Sequence, residues 1–96
     1  SLQRILTALF PCGSITGAPK LNTMRYIKAL EGTPRHVYCG TIGLMIPNGP
    51  SIFNVPIRTV QYIEDEAVYG VGAGITIDSD PEAEVAEFEA KTKILE

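Results

Sequence analysis

Two carboxylates and one ammonium group, Glu84, Glu87 and Lys91, share one side of the last segment of the chain. Pro81, with Ser79 or Asp80 ahead of it as N-cap, reads as the first turn of a helix running from Pro81 to Leu95. At roughly 100° per residue the three groups fall within an arc of about 60°, flanked by Phe88, Ile94 and Leu95. Glu82, Glu89, Lys93 and Glu96 take the opposite side, an ordinary solvated face. Charges on the apolar side need an explanation, because a buried charge without a partner costs several kcal/mol or neutralises. One reading is a Glu87–Lys91 ion pair at i, i+4, worth about 0.3–0.5 kcal/mol on an exposed helix, which leaves Glu84 unexplained. The other is a divalent cation held by carboxylates one turn apart, with Lys91 left for an anion. Hard oxygen donors suit Mg²⁺ better than zinc, and one histidine and two scattered cysteines point the same way.

Three further features fit that second reading. In the run GVGAG, the absence of Cβ atoms at Gly72 and Gly74 lets an anion approach the main chain through Ala73. Arg58 stands in a mostly apolar run, either as a cation reaching the rim of a sheet or as a guanidinium fork for a carboxylate. Tyr38 carries a hydroxyl on an apolar ring and reads as either a core edge or a substrate donor. Together these residues describe a receptor for a small dicarboxylate bound through Mg²⁺, the metal neutralising a carboxylate and polarising a leaving group.

The elements that must position them follow from the pattern along the chain. Residues 2–9 carry Leu2, Ile5, Leu6 and Leu9 at helical spacing and stop before Pro11. Gly13, Ser14, Thr16 and Gly17 suggest a tight loop, after which Pro19 opens a helix with Leu21, Met24, Ile27 and Leu30 on one stripe and Gly32 as its stop. Residues 37–46 and 51–63 read as a hairpin about the turn PNGP, with Pro56 at a bulge or an edge. By alternation Arg58 then shares a face with Asn54, Pro56, Val60 and Tyr62. Glu64, Asp65 and Glu66 turn the chain into a third strand, AVYGVGAG. The expected fold is α+β, a three-stranded antiparallel sheet with helices packed on one face, in a single domain spanning residues 1–96. Bare sheet edges predict self-association.

Composition narrows the function classes. At 96 residues the chain is small, and 45% hydrophobic residues with a positive mean hydropathy suggest apolar faces meant for a larger body. A net charge of -3 and the lack of a basic run give no electrostatic case for nucleic acid. No apolar stretch reaches the roughly 20 residues of a membrane span and no leader pattern opens the chain, so the expected location is cytoplasmic. Cys12 and Cys39 are too few and too far apart for a disulfide framework or a CxxC site, and His36 is expected to be exposed. PCGSITGAPK fails as a phosphate-binding loop: Ala18 and Pro19 separate Lys20 from Gly17, and no Ser or Thr follows the lysine. After GVGAG the helix begins too late for a pyrophosphate to rest on its N-terminus.

PCGSITGAPK, VYCGTIG, FNVPIRTV, GAGITIDSDPEAE and the closing Glu87-to-Lys91 spacing closely resemble the C-terminal part of the chorismate-binding enzymes, over nearly all of the chain. Within that family SITGAPK and the cysteine of VYCG tilt toward the aminodeoxychorismate synthase (para-aminobenzoate synthase component I) branch, with anthranilate synthase component I as the nearest relative. The resemblance implies that Glu87 is a direct Mg²⁺ ligand and Glu84 a direct or water-mediated one, and that Lys91 faces the ring carboxylate of chorismate. Arg58 and Tyr38 would hold the pyruvyl group, the Gly72–Gly74 backbone would donate to a carboxylate, and Ser14 would line the pocket. The implied reaction is amination of chorismate with ammonia from a glutamine amidotransferase partner, in folate synthesis. Val71, Leu44 and Phe88 depart from the common pattern in ways that look tolerable. The family's other Mg²⁺ ligands, on an upstream helix, and the nucleophilic lysine of a PIKGT-like segment are not in these 96 residues. The chain alone is therefore expected to hold half of the site and to have no synthase activity, with a non-catalytic, self-associating remnant as the alternative.

Overall fold

The computed structural model describes all 96 residues and divides them into two units, Ser1–Ile57 and Arg58–Glu96. In the first unit, helix α1 (Leu2–Leu9) begins at Ser1, whose Oγ accepts from the Arg4 amide at 3.4 Å, and Pro11 lies just past its end. The expected loop at 13–17 is instead a single helical turn, α2 (Gly13–Thr16). Gly17 closes it at φ 130, where a Cβ would meet the Thr23 methyl at 2.6 Å, so only glycine fits the step into the next helix. Helix α3 (Lys20–Leu30) starts behind Pro19, and its cap at Glu31 is extended rather than left-handed, so Gly32 follows the stop without making it.

Strand formation is more local than the β-branched runs suggest. Residues 36–40 turn instead of extending, with His36 and Cys39 at positive φ, and β1 occupies only Ile42–Met45. It pairs antiparallel with β2 (Ser51–Asn54), Gly43 facing Phe53, across the turn that contains Asn48 at φ 58. The run 51–63 is not one strand. Pro56, lacking a ladder donor, is buried outside any strand, its carbonyl accepting from the Cys39 amide at 3.1 Å, and Arg58 lies at φ 50.

In the second unit, β3 (Val60–Ile63) and β4 (Glu66–Tyr69) pair about the two-residue turn Glu64–Asp65, both residues at positive φ. Residues 70–79 carry no regular element, and α4 (Pro81–Thr92) follows with Asp80 as N-cap, ending in a 3-10 turn at Lys93–Leu95. The fold is thus α+β, but with two separate two-stranded sheets in place of the expected three-stranded one. The break at Pro56–Arg58 removes the shared middle strand. Nor does a helix form an extended layer against either sheet.

Little apolar surface is closed off. Cys39, at 6% exposure, is the one buried hydrophobic residue, while Leu30 at 83% and Ile77 at 98% stand in solvent. The accessible surface is 7761 Å². A compact monomer of this mass exposes about 5,400 Å², and dividing the chain into two compact bodies adds only about 1,000 Å². The remainder is uncovered element surface, as the rich apolar composition of so short a chain foreshadows.

Candidate functional site

Helix α4 has one half-buried stripe, Glu84, Phe88 and Lys91, at i, i+4 and i+7. The Pro81 start fixes that phase, and the stripe agrees with the inward side read from the sequence at Glu84, Phe88 and Lys91, whereas Glu87, Ile94 and Leu95 are exposed. Glu87 sits at its margin with a side chain 50% exposed. Lys91 Nζ donates to the Gly72 carbonyl at 2.6 Å and lies 3.0 Å from Glu87 Oε1. The ammonium therefore ties the helix to the irregular glycine segment 19 residues upstream.

Glu84 is the unusual member. Its Oε2 is cut off from solvent and accepts no hydrogen bond. An acceptor-only oxygen in that state costs about 1–3 kcal/mol, a cost that an incoming cation would offset. The donor set fits Mg²⁺ as far as it goes: two carboxylates one turn apart, oxygen only, with one buried oxygen waiting for a partner. It is incomplete by itself, since no group of three or more His, Cys, Asp or Glu side chains is gathered anywhere in the chain.

The glycine segment contributes differently from expectation. Gly72 and Ala73 are half-buried and Gly74 is exposed, with open space where its Cβ would be. The group of this segment that Lys91 meets is the Gly72 carbonyl, an acceptor, whereas the sequence suggested only its amide donors. None of Gly70, Gly72 and Gly74 adopts positive φ, so what they supply is close approach and not a left-handed turn. Arg58 is exposed and outside any strand, and the face-sharing expected by alternation with Asn54, Pro56, Val60 and Tyr62 does not exist.

Ser14 and Tyr38 belong to the first unit. Ser14 is exposed on α2. Tyr38 lines a cavity of about 560 Å³ between α3 and the turn at 33–40, together with Thr16, Met24, Ile27 and Arg35. Burial pushes the Tyr38 hydroxyl up to about 12, the neighbouring Cys39 acting in the same direction. The Arg35 guanidinium lies 5.4 Å from the Tyr38 ring centroid and grips Glu31 through two hydrogen bonds, 2.9 and 2.5 Å. These bonds hold the Glu31 carboxyl below its usual range and raise Arg35. The Glu31–Arg35 fork escaped the sequence reading, although its i, i+4 spacing was the available signal. Thr16 Oγ1, buried and unpartnered at the end of α2, had none, because burial of a hydroxyl there depends on what folds over it. Both cysteines are free and His36 is exposed.

Comparison with protein families gives a match to chorismate binding enzyme across residues 1–96. The chain belongs to the chorismate-binding enzyme family. Among curated proteins it is 42% identical over 93 residues to the aminodeoxychorismate synthase of Streptomyces pristinaespiralis, covering 97% of this chain and 13% of that protein. To an anthranilate synthase component 1 of Haloarcula marismortui it is 44% identical over 95 residues, covering 99% of this chain and 19% of the relative. The chloroplastic aminodeoxychorismate synthase of Arabidopsis thaliana is 45% identical over 86 residues, 90% of this chain and 9% of its own length. The chain thus spans a fifth or less of these relatives, and identity does not separate the two synthases. No solved structure matches it. No helix is long and apolar enough to cross a membrane.

Proposed function

We propose that the chain is the C-terminal part of an aminodeoxychorismate synthase catalytic domain and carries half of its Mg²⁺ and chorismate site. The observation that carries this reading is the solvent-excluded, unpartnered Oε2 of Glu84 on the same helical face as a lysine fixed to the glycine segment. Glu84 and Glu87 would hold Mg²⁺, which when bound would neutralise a substrate carboxylate and polarise the departing group. Lys91 would present its ammonium to the ring carboxylate, with Gly72, Ala73 and Gly74 lending close main-chain approach. Arg58 and Tyr38 would bind the pyruvyl group and Ser14 would line the pocket. Ammonia would come from a glutamine amidotransferase partner of the longer enzyme, and the expected compartment is cytoplasmic. Anthranilate synthase component I is the second reading, since proteins of that name are as similar to the chain as the aminodeoxychorismate synthases are.

Calorimetric titration of the 96-residue chain with Mg²⁺, and with chorismate in its presence, tests the half-site. Binding of Mg²⁺ that is lost in Glu84→Gln and Glu87→Gln supports it; heat unaffected by either substitution sinks it. Product analysis of a longer enzyme carrying this sequence decides the branch, anthranilate overturning the aminodeoxychorismate assignment.

A further inference from the structure

Lys91 has three N–H donors, and two of its acceptors are on view: the Gly72 carbonyl at 2.6 Å and Glu87 Oε1 at 3.0 Å. The two bonds differ in kind. The first is partly buried and joins residues 19 apart, so it holds the ammonium in place. The second is an i, i+4 pair with a carboxylate 50% exposed, the sort of contact that contributes little and is easily exchanged. One turn earlier, Glu84 keeps an oxygen out of solvent with no partner at all. A cation drawn to Glu84 would compete with Lys91 for the Glu87 carboxylate.

Resting on the reading of Glu84 and Glu87 as cation ligands, we propose that Lys91 holds the Glu87 carboxylate in reserve. A divalent cation takes Glu87 away, and the ammonium so released, still fixed by Gly72, becomes the anchor for an anion. Lys91 is thus a competitor of the cation before it is a partner of the anion. Two couplings follow. Removing the Lys91 charge tightens cation binding, because a positive charge within a few ångströms of the site no longer opposes it. An anion that neutralises Lys91 does the same, and by linkage the cation tightens the anion to the same extent.

The test is calorimetric titration of the full 96-residue chain with MgCl₂ at constant ionic strength, with and without sodium benzoate as a monocarboxylate probe. Lys91→Met is expected to bind Mg²⁺ about three- to tenfold more tightly than the unaltered chain, on a charge-removal argument. Lys91→Gln, which keeps a donor for the Gly72 carbonyl, should change in the same direction, whereas Lys91→Arg should not. Benzoate should tighten Mg²⁺ binding in the unaltered chain and leave it unchanged in Lys91→Met. Unchanged or weaker Mg²⁺ binding in both Lys91→Met and Lys91→Gln overturns the proposal. If that result comes with binding abolished in Glu84→Gln and Glu87→Gln, the cation-site reading survives and only the reserve role of Lys91 fails. Mg²⁺ heat unaffected by Glu84→Gln and Glu87→Gln removes the cation site, and this proposal with it.

Discussion

At the scale of single residues, Glu84 and Tyr38 are the groups whose surroundings fit their chemistry least. The buried oxygen of Glu84 has no partner, so replacing the side chain with an apolar one of similar length should help the cation-free chain. Glu84→Met is expected to stabilise it by about 1 kcal/mol in urea denaturation and to erase any stabilisation by Mg²⁺. Loss of stability without metal would show that Glu84 has a structural partner instead. Tyr38 makes a prediction in pH. Its hydroxyl is raised to about 12 by burial, so the folded chain favours the neutral phenol more than the unfolded chain does. The resulting contribution to stability is fully present below pH ~10 and is lost as pH rises through about 12. The urea midpoint should fall across that window, and fall less in Tyr38→Phe. Absorbance titration should show one of the four tyrosines ionising after the rest.

Among the elements, the longer helices and the hairpin turns were legible, whereas the helical turn at 13–16, the strand lengths and the sheet they form were not. α1 and the start of α4 follow from apolar spacing and from proline placement, and the inward stripe of α4 could be read to within a residue or two. The sheet misled because β-branched composition says that a run can extend, not how far. Residues 37–41 turn away, and the 51–63 run is cut by a buried proline and a positive φ at Arg58. Pro56 was visible as a problem, but a bulge and a full break carry the same local signal. The Lys91–Gly72 tie could not be foreseen, since it joins a helix to a segment without periodicity. The Glu64–Asp65 turn offers a test at this scale. Both residues sit at φ of 50 and 64, a conformation that Asn-Gly adopts at lower cost. The double substitution Glu64→Asn with Asp65→Gly should therefore stabilise the β3–β4 hairpin by about 0.5–1 kcal/mol, read as a higher thermal midpoint. A lower midpoint would mean that the acidic side chains hold the turn. Gly43 is a stricter case: a Cβ there would lie 2.0 Å from Phe53, so Gly43→Ala should cost about 1–3 kcal/mol. Gly74→Ala, with open space around it, should be neutral in the same denaturation assay.

For the whole chain, the balance between covered and uncovered apolar surface governs behaviour. With Cys39 as the one buried hydrophobic residue and side chains such as Leu30, Tyr62 and Ile77 in water, isolated chains should associate. Sedimentation velocity should show a weight-average mass that rises with concentration; a monomer of 10.4 kDa at every concentration would contradict this. Each relative aligns over a small part of its length, 13% and 19% in the two microbial synthases described above, which agrees with faces shaped to be covered by more protein.

The tie between Lys91 and Gly72 also spans Ile77, an almost fully exposed residue of the irregular segment. A protease that cuts ahead of aliphatic residues would meet the Thr76–Ile77 bond early, severing the polypeptide between the β3–β4 hairpin and α4. The Lys91 ammonium on the Gly72 carbonyl and the Thr76–Ser79 hydrogen bonds would then both bridge the cut, so a nicked sample that stays together in dilute buffer and parts in salt would be reporting on the charged one of these contacts.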